Sequence, residues 1–98
     1  MSNHNYFVYI VTNKNKTTLY IGVTNDLYTR LSQHFINSGN SKTFAGRYNC
    51  YNLVYWERHQ YIMHAIEREK EIKKWRRDKK DKLICSFNPE WRFLNNEI

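Results

Sequence analysis

The run Tyr6–Thr12 (YFVYIVT) constrains the fold more than any other segment. Its β-branched and aromatic residues occupy both alternating positions, which is typical of a β-strand that is covered on both faces. The chain has 98 residues, enough for one compact domain and too few for two. We therefore expect residues 1–98 to form a single domain with its core between about residues 6 and 91.

A short polar turn connects this strand to a second predicted strand at 18–24 (TLYIGVT). Adjacent strands joined by so short a turn should form an antiparallel hairpin. If the turn has four residues, Thr12 pairs with Thr17, and Tyr9 then lies directly opposite Tyr20. The hairpin therefore predicts two phenols side by side on one sheet face, either as ordinary cross-strand packing or as part of a site.

The remaining elements complete the order β-β-α-β-α-α, which predicts an α+β fold with a three-stranded antiparallel sheet flanked by helices. Asn25-Asp26 offers an N-cap for a first helix whose apolar stripe is Leu27, Leu31 and Phe35. The later segments are a polar loop at 38–50, a strand at 51–57, a helix at 61–75 and a short helix that ends near residue 87, before Asn88-Pro89.

The helix predicted at 61–75 has one residue out of place. Its apolar stripe comprises Ile62, Ala65, Ile66 and Ile72, and steps of three and four residues put Glu69 in line with it. A carboxylate that faces the core is costly unless it is paired or binds a metal ion. Two interpretations stay open: Glu69 holds a divalent cation, or it lies at the edge of the stripe and pairs with a nearby arginine.

Other polar residues suggest a site near the hairpin. Arg30 and His34 are neighbours just off the stripe of the first helix, where they are either a solvated basic face or a phosphate contact. Gly22 should share the face of Tyr20, and a strand glycine often marks the close approach of a ligand or backbone. With Glu69, these residues supply the parts for phosphodiester cleavage: a ligand for one divalent cation, an arginine for a phosphate oxygen, and a phenol that orients or deprotonates water.

Sixteen Lys and Arg against nine Asp and Glu give a net charge of +7. This surplus attracts polyanions, of which nucleic acid is the commonest, with acidic membranes or proteins as rivals. We expect basic residues of the polar loop and of the stretch 73–82 to bind the phosphate backbone, although a charge run can also be a solvated helix surface. These candidates are Lys42, Arg47, Lys73, Lys74, Arg76, Arg77, Lys79 and Lys80.

The sequence also bears on the compartment. Cys50 and Cys85 are far apart and lack the spacing of a zinc site or a redox pair, which is typical of reduced cysteines. No apolar run approaches the roughly 18 residues of a membrane span, and the first five residues lack the apolar stretch of a signal peptide. We expect a cytoplasmic protein that does not enter a membrane.

The residues assembled above resemble the GIY-YIG nuclease signature. In the first half, the resemblance rests on Tyr9 within Val8-Tyr9-Ile10, the run 19–27 (LYIGVTNDL), Arg30 and His34. The triplet that ends at Tyr9 reads Phe-Val-Tyr where Gly-Ile-Tyr is usual. In the second half, residues 65–75 (AIEREKEIKKW) and 88–91 (NPEW) resemble the small stand-alone bacterial members, so that the resemblance spans about residues 6–91.

This resemblance implies a metal-dependent DNA endonuclease, related to the incision domain of excision-repair nucleases. By position, Tyr9 and Tyr20 correspond to the two motif tyrosines, one of them the proposed general base or water-orienting group. Arg30 corresponds to the phosphate-binding arginine. Glu69 corresponds to the single carboxylate ligand of one divalent ion, for which Mg²⁺ or Mn²⁺ is suited.

Two further site residues are implied less directly. His34 matches a position where several members carry an active-site histidine, and Asn88 matches a C-terminal active-site asparagine. Our preferred base is Tyr9, although a free phenol has a pKa near 10 and needs several units of depression. We expect the enzyme to select single-stranded or branched DNA, or to be directed by a protein partner, rather than to read sequence.

Two other classes of function remain open at this point. One is a nucleic-acid-binding module that keeps the fold and has lost activity. The other is an adaptor whose basic helix docks on an acidic partner, which explains the charge and leaves the Tyr, Arg and Glu set unexplained.

Overall fold

The computed structural model of the protein describes residues 5–98. Three strands form one antiparallel sheet, with β1 (Tyr6–Thr12) between β2 (Leu19–Thr24) and β3 (Asn52–His59). The predicted α+β class and three-stranded antiparallel sheet are confirmed. The helices are α1 (Leu27–Ile36), α2 (Phe44–Arg47), α3 (Ile62–Lys74) and α4 (Arg77–Phe87), followed by a 3₁₀ turn at Asn95–Glu97.

The central strand has a hydrophobic core on each face, as its residue pattern predicts. Successive side chains of a strand point to opposite faces, so Val8 and Ile10 enter one core while Tyr9 and Val11 enter the other. Helices α3 and α4 cover the first face, and α1 and α2 cover the second. The helical residues buried there are Ala65, Ile72 and Ile84 on the first face and Leu27, Leu31 and Ala45 on the second.

The predicted hairpin register is wrong by two residues. Thr12 pairs with Leu19, and Tyr9 lies opposite Gly22 rather than opposite Tyr20. The turn is longer because the side-chain oxygen of Asn13 accepts hydrogen bonds from two backbone N–H groups, at 2.8 and 3.1 Å, which keeps those residues out of the strand ladder. Since side chains alternate with a period of two, this shift leaves Tyr9, Tyr20 and Gly22 on one face.

Helix α1 begins where the sequence indicates but buries a different side chain. The Asp26 carboxylate caps it by accepting a hydrogen bond from the backbone N–H of Thr29 at 3.1 Å. Leu27 and Leu31 are buried as predicted, whereas Phe35 is 64% exposed and His34 is buried in its place. Steps of three and four residues are both compatible with one helix face. The histidine takes the inner position because it finds a hydrogen-bond partner there, as described below.

The polar loop predicted at 38–50 contains the one-turn helix α2, which sequence periodicity is too short to reveal. The Thr43 side chain caps it by accepting from the N–H of Gly46 at 3.0 Å. A Cβ at Gly46 would lie 2.6 Å from the carbonyl oxygen of Asn40 and 2.7 Å from that of Asn37, so only glycine fits without a shift of backbone. The loop is therefore a folded wall beside α1.

Helix α3 buries Ala65 and Ile72, but Ile62 is 41% exposed, so the apolar stripe begins one turn later than predicted. Helix α4 ends at Phe87, as expected from Asn88-Pro89. Across residues 5–98, no helix combines the length and apolarity needed to cross a membrane.

Candidate active site

The phenol of Tyr9 lies at the centre of the candidate site. Tyr9 has no solvent exposure, and its hydroxyl is 2.8 Å from Nε2 of His34. Nε of Arg30 donates to the same hydroxyl at 3.3 Å. Arg30 and His34 are one turn apart on α1, so the packing of α1 on the central strand brings all three side chains together. With Tyr20, these residues form the cleft cluster (Tyr9, Tyr20, Arg30 and His34).

Gly22 makes room for this arrangement. A Cβ at Gly22 would lie 2.4 Å from the Tyr9 hydroxyl oxygen and 2.6 Å from its Cζ. The ring of Tyr9 therefore lies over the strand position directly opposite it, which has to lack a side chain. The sequence predicted that a ligand or backbone comes close at Gly22, whereas the group that lies against it is the side chain of Tyr9.

The protonation states of the cleft cluster follow from burial. Burial raises the pKa of Tyr9 to about 12; the Arg30 hydrogen bond opposes this rise, and the charges of Tyr20 and Glu69 add to it. Burial, with the nearby Arg30 charge, lowers the pKa of His34 to about 4. With His34 neutral and Tyr9 protonated, the Tyr9 hydroxyl accepts from the Arg30 guanidinium and shares a hydrogen bond with Nε2 of His34, whose direction depends on the histidine tautomer. The hydrogen bond to Tyr9 raises the pKa of Arg30, which stays charged.

Above Tyr9, the cluster opens into a cleft of about 160 Å³. Tyr20 lies in its wall, with its ring centroid 5.3 Å from that of His34 and 6.4 Å from that of Tyr9. The expected pair of phenols is thus present, as diagonal rather than facing neighbours. The cleft is lined by Tyr20, Arg30 and His34 on one side and by Asn37, Thr43, Phe44 and Ala45 of the α2 wall on the other.

Glu69 lies on α3 with its side chain 19% exposed. Its carboxylate pairs with Lys73, one turn along the helix, at 3.2 Å, and its charge reaches far enough to raise the pKa of Tyr9. Glu69 therefore lies at the edge of the apolar stripe, as one interpretation held, but its ion-pair partner is a lysine and not an arginine. The other interpretation, a metal ligand, is compatible with this position.

The family resemblance assigned Asn88 to the active site, but in the structure its side chain bonds to backbone groups. Its side-chain N–H groups donate to the carbonyl oxygens of Val54 and Arg92, and its side-chain oxygen accepts from the Arg92 N–H at 3.0 Å. Asn88 is buried at the end of α4 and does not line the cleft. Both ends of its amide are satisfied by backbone groups, so it fixes the segment after α4.

The basic residues predicted to bind phosphates fall into two groups. Four are engaged by the protein itself, among them Arg47, which donates to the carbonyl oxygen of Ser41 at 3.3 Å. Lys73 pairs with Glu69. Arg77 donates to two carbonyl oxygens of the β1–β2 turn, at 2.8 and 2.9 Å, and to Asp81. The Lys79 ammonium lies 4.3 Å from the centroid of the Trp75 ring. The others, at least partly open to solvent, are Lys42, Lys74, Arg76 and Lys80.

The structure contains a second polar cluster that the sequence did not predict. On β3, the Glu57 carboxylate accepts hydrogen bonds from Tyr55, from His59 at 2.5 Å and from Arg68 of α3 at 3.1 Å. Alternation along β3 puts residues 55, 57 and 59 on one face, but nothing local identifies the arginine that meets them. We call these four residues the β3–α3 cluster (Tyr55, Glu57, His59 and Arg68).

The chain matches the family model of the GIY-YIG catalytic domain over residues 5–82. It is 34% identical to a UPF0213 protein of Bacillus pumilus, over 86% of this chain and 83% of that one. It is 35% identical to a UPF0213 protein of Staphylococcus aureus, over 81% and 93% of the two chains. The solution NMR structure of a UPF0213 protein from Bacillus halodurans superimposes with a TM-score of 0.57 at 28% identity, covering 94% and 93%.

Proposed function

Since the chain belongs to the GIY-YIG catalytic domain family, which is of nuclease type, we propose that it is a divalent-metal-dependent endonuclease that hydrolyses DNA phosphodiester bonds. One observation carries the proposal: Tyr9 holds both Arg30 and His34 by hydrogen bonds beneath an open cleft. A purely structural role does not require a charged arginine and two phenols around one cleft.

In this mechanism, Arg30 binds the scissile phosphate. Its guanidinium lines the cleft, and Nε is held by Tyr9 while one terminal nitrogen donates to Gln33 at 3.0 Å. Fixed in this way, the fork offers its remaining N–H groups to a non-bridging phosphate oxygen. Preorganised donors of this kind stabilise charge that develops in the transition state.

The two phenols take different roles from those first expected. Tyr9 was the preferred base, but it has no solvent exposure and its pKa is raised, so we assign it the positioning of Arg30 and His34. Tyr20 lines the cleft, and we propose that its hydroxyl orients the attacking water. His34 is uncharged and buried at the base of the cleft, where its Nε2 is hydrogen-bonded to the Tyr9 hydroxyl.

Glu69 fits the role of sole carboxylate ligand. Among the residues that the structure describes, no three His, Cys, Asp or Glu side chains cluster in a way that would hold a metal ion. A single partly buried carboxylate leaves most coordination positions to water and substrate phosphate, which suits Mg²⁺ or Mn²⁺. When bound, such an ion supplies positive charge for the leaving 3′-oxygen and for the attacking water. In the free protein, the positive partner of the Glu69 carboxylate is the ammonium group of Lys73.

We propose that the solvent-accessible basic residues follow the strand on either side of the cleft. Phosphate contacts hold nucleic acid without reading its sequence, so the substrate should be selected by strand structure, with single-stranded or branched DNA favoured, or by a protein partner. Two of these residues are Lys42, just before α2, and Arg47, at the end of α2. The others are Lys74 at the end of α3, Arg76 between α3 and α4, and Lys80 on α4.

The test is a cleavage assay with Mn²⁺ or Mg²⁺ on labelled single-stranded, duplex, flap and junction DNA, with RNA alongside. Cleavage should be lost on chelation, in Glu69→Ala and in Arg30→Ala. Glu67→Ala is the matched control, because Glu67 is an exposed carboxylate of the same helix. Absence of cleavage on every substrate, with salt-sensitive binding retained, would replace the enzyme by a nucleic-acid-binding module.

A further inference from the structure

Two large aromatic side chains stand exposed beside the cleft, although the fold does not need them there. Phe44 is 52% exposed and Tyr48 is 43% exposed. Their ring centroids are 4.8 Å apart, and the ring of Phe44 lies 6.4 Å from that of Tyr20 with 29° between the planes. These three rings form a continuous row, the aromatic rim (Tyr20, Phe44 and Tyr48), that runs from inside the cleft to the surface.

The backbone of α2 fixes this row in place. Its inward residues are the small Ala45 and Gly46, and the core cluster on this face contains Ala45 but neither Phe44 nor Tyr48. The turn is held by the N–H of Gly39 on the carbonyl of Gly46 and by the N–H of Cys50 on the carbonyl of Ala45, both at 2.8 Å. A one-turn helix so tied presents its aromatic residues outward on a fixed backbone.

The segment that supplies most of the cleft lining carries no negative side chain. Between Leu27 and Trp56 there is no Asp or Glu, while Arg30, Lys42 and Arg47 are all cationic. A ligand that binds here is therefore expected to be anionic and to offer a flat apolar face. A nucleotide combines these two properties, because it joins a phosphate to a base with an exposed π-surface.

We propose that Phe44 and Tyr48 are a stacking platform for an unpaired nucleobase next to the scissile phosphate. The inference rests on the proposed nuclease function and names the feature of the substrate that this cleft selects. Phe44 lines the same cleft as Arg30, so the base and phosphate of neighbouring nucleotides can be bound together. Base–aromatic stacking tolerates any sequence, but in a duplex the faces of a base are covered by its neighbours.

The first measurement is binding of fluorescently labelled single-stranded DNA by anisotropy, in chelator so that nothing is cut. Phe44→Leu keeps an apolar side chain and removes the π-face, so the dissociation constant should rise by about 5- to 100-fold, the range for loss of one stacked base. Phe44→Trp should bind at least as well as the wild type. Phe35→Leu is the matched control, since Phe35 is 64% exposed on α1 and does not line the cleft.

A second measurement needs no substitution in the platform. A single abasic nucleotide is moved along the strand, and wild-type binding should weaken at one or two adjacent positions by the same factor as in Phe44→Leu. In Phe44→Leu, the abasic strand should bind no worse than the intact strand. This coupling separates stacking from general loss of affinity, and Tyr48→Leu repeats the test if Phe44→Leu unfolds.

The outcomes separate this proposal from the nuclease assignment. Unchanged binding in both leucine variants, or a wild-type profile that is flat along the abasic series, overturns the platform even if DNA is cleaved. A local abasic effect that disappears in Phe44→Leu supports the platform even if no metal produces cleavage. In that second case, the protein is a binder of unpaired nucleotides and the nuclease proposal fails.

Discussion

The cleft cluster with Glu69 and the β3–α3 cluster contain the same residue types, yet they are organised in opposite ways. In the β3–α3 cluster, a carboxylate is central: Glu57 accepts from a tyrosine, a histidine and an arginine. In the cleft, a phenol is central, and Glu69 lies apart from it, paired with a lysine on the surface of its own helix. One set satisfies its charges internally, and the other places the Arg30 guanidinium in the wall of an open cleft.

The difference shows why residue composition alone does not identify a site. Although burial raises the pKa of Glu57, hydrogen bonds from Tyr55, His59 and Arg68 hold it below its usual value. Arg68 is further held by Glu71 at 2.7 Å and lies over the Trp75 ring. Because its charged groups are paired with one another, the β3–α3 cluster stabilises the contact between β3 and α3. The arginine charge that lines the open cleft is available to a ligand.

The largest effect should come from exchanging one carboxylate for an amide in each cluster. Glu69→Gln should lower the cleavage rate about a thousandfold, because a metal ligand supplies several kcal/mol of transition-state stabilisation. Glu57→Gln should have the opposite pattern. Stability should fall by about 2 kcal/mol, since Arg68 keeps its charge and loses one of its two carboxylate partners, while the rate per folded molecule stays unchanged. Single-turnover kinetics and urea unfolding measure the two quantities. A rate loss in Glu57→Gln without a stability loss would contradict the assignment of roles.

The second effect concerns the space beneath Tyr9. In Gly22→Ala, the new methyl group would lie within 2.4 Å of the Tyr9 hydroxyl oxygen, so the ring has to move. A displacement of about 1 Å at a catalytic group costs about a hundredfold in rate. The double variant Gly22→Ala with Tyr9→Phe shortens the clashing side chain and should recover part of the stability but not the rate. Equal cleavage by Gly22→Ala and wild type would show that the Tyr9 hydrogen bonds do not position Arg30.

Acid should separate the two clusters by the pH at which each loses stability. The pKa of His34 is about 4 in the folded protein and near 6.5 unfolded, so the unfolded chain binds more protons between these values. Stability therefore falls as pH drops from 6.5 to 4, by at most about 3 kcal/mol. The pKa of Glu57 is lowered in the folded protein, so the stability that its carboxylate contributes is lost only as the pH falls below 4.5. Urea unfolding at pH 7, 5.5 and 4.5 should give a flatter series for His34→Gln, and equal slopes for this variant and wild type would disprove the burial of a neutral His34.

The smallest effect is the exchange of arginine for lysine in each cluster. Arg30→Lys keeps the charge but loses the planar fork, and loss of one charge-assisted hydrogen bond of about 1.5 kcal/mol corresponds to a roughly tenfold lower kcat/KM. Arg68→Lys should leave kcat/KM unchanged and lower stability by about 1 kcal/mol. Initial rates at low substrate and thermal unfolding decide between these patterns. If the two variants have the same profile, the clusters do not differ in the way described.

Local patterns predicted the fold well where a residue's neighbours in sequence decide its structure. The strand Tyr6–Thr12 and the cap at Asp26 were readable because burial on both faces and helix capping are short-range signals. The hairpin register was not, because it depends on how the Asn13 side chain bonds to the turn. Helix α2 was not predicted because four residues are too few to show a helical period of apolar side chains.

The sequence predicted which residues belong to the candidate site better than it predicted which of them touch each other. Tyr9, Arg30 and His34 followed from the signature spacing, but burial of His34 in place of Phe35 depends on a tyrosine 25 residues away. The β3–α3 cluster had no signal at all, since Glu57 and Arg68 meet only in the folded chain. Asn88 matched a family motif in the sequence. The structure shows that its side-chain amide is hydrogen-bonded to backbone groups.

The central position of β1 has a consequence for how the protein is made. Tyr9, Arg30 and His34 leave the ribosome early. The strand that carries Tyr9 is held between β2 and β3, however, and both β3 and α3, which bears Glu69, lie in the second half of the chain. The cleft can therefore assemble only after the strand and helix from the second half have been synthesised. A nascent chain of this protein therefore carries Tyr9, Arg30 and His34 for much of translation before the cleft that they form is complete.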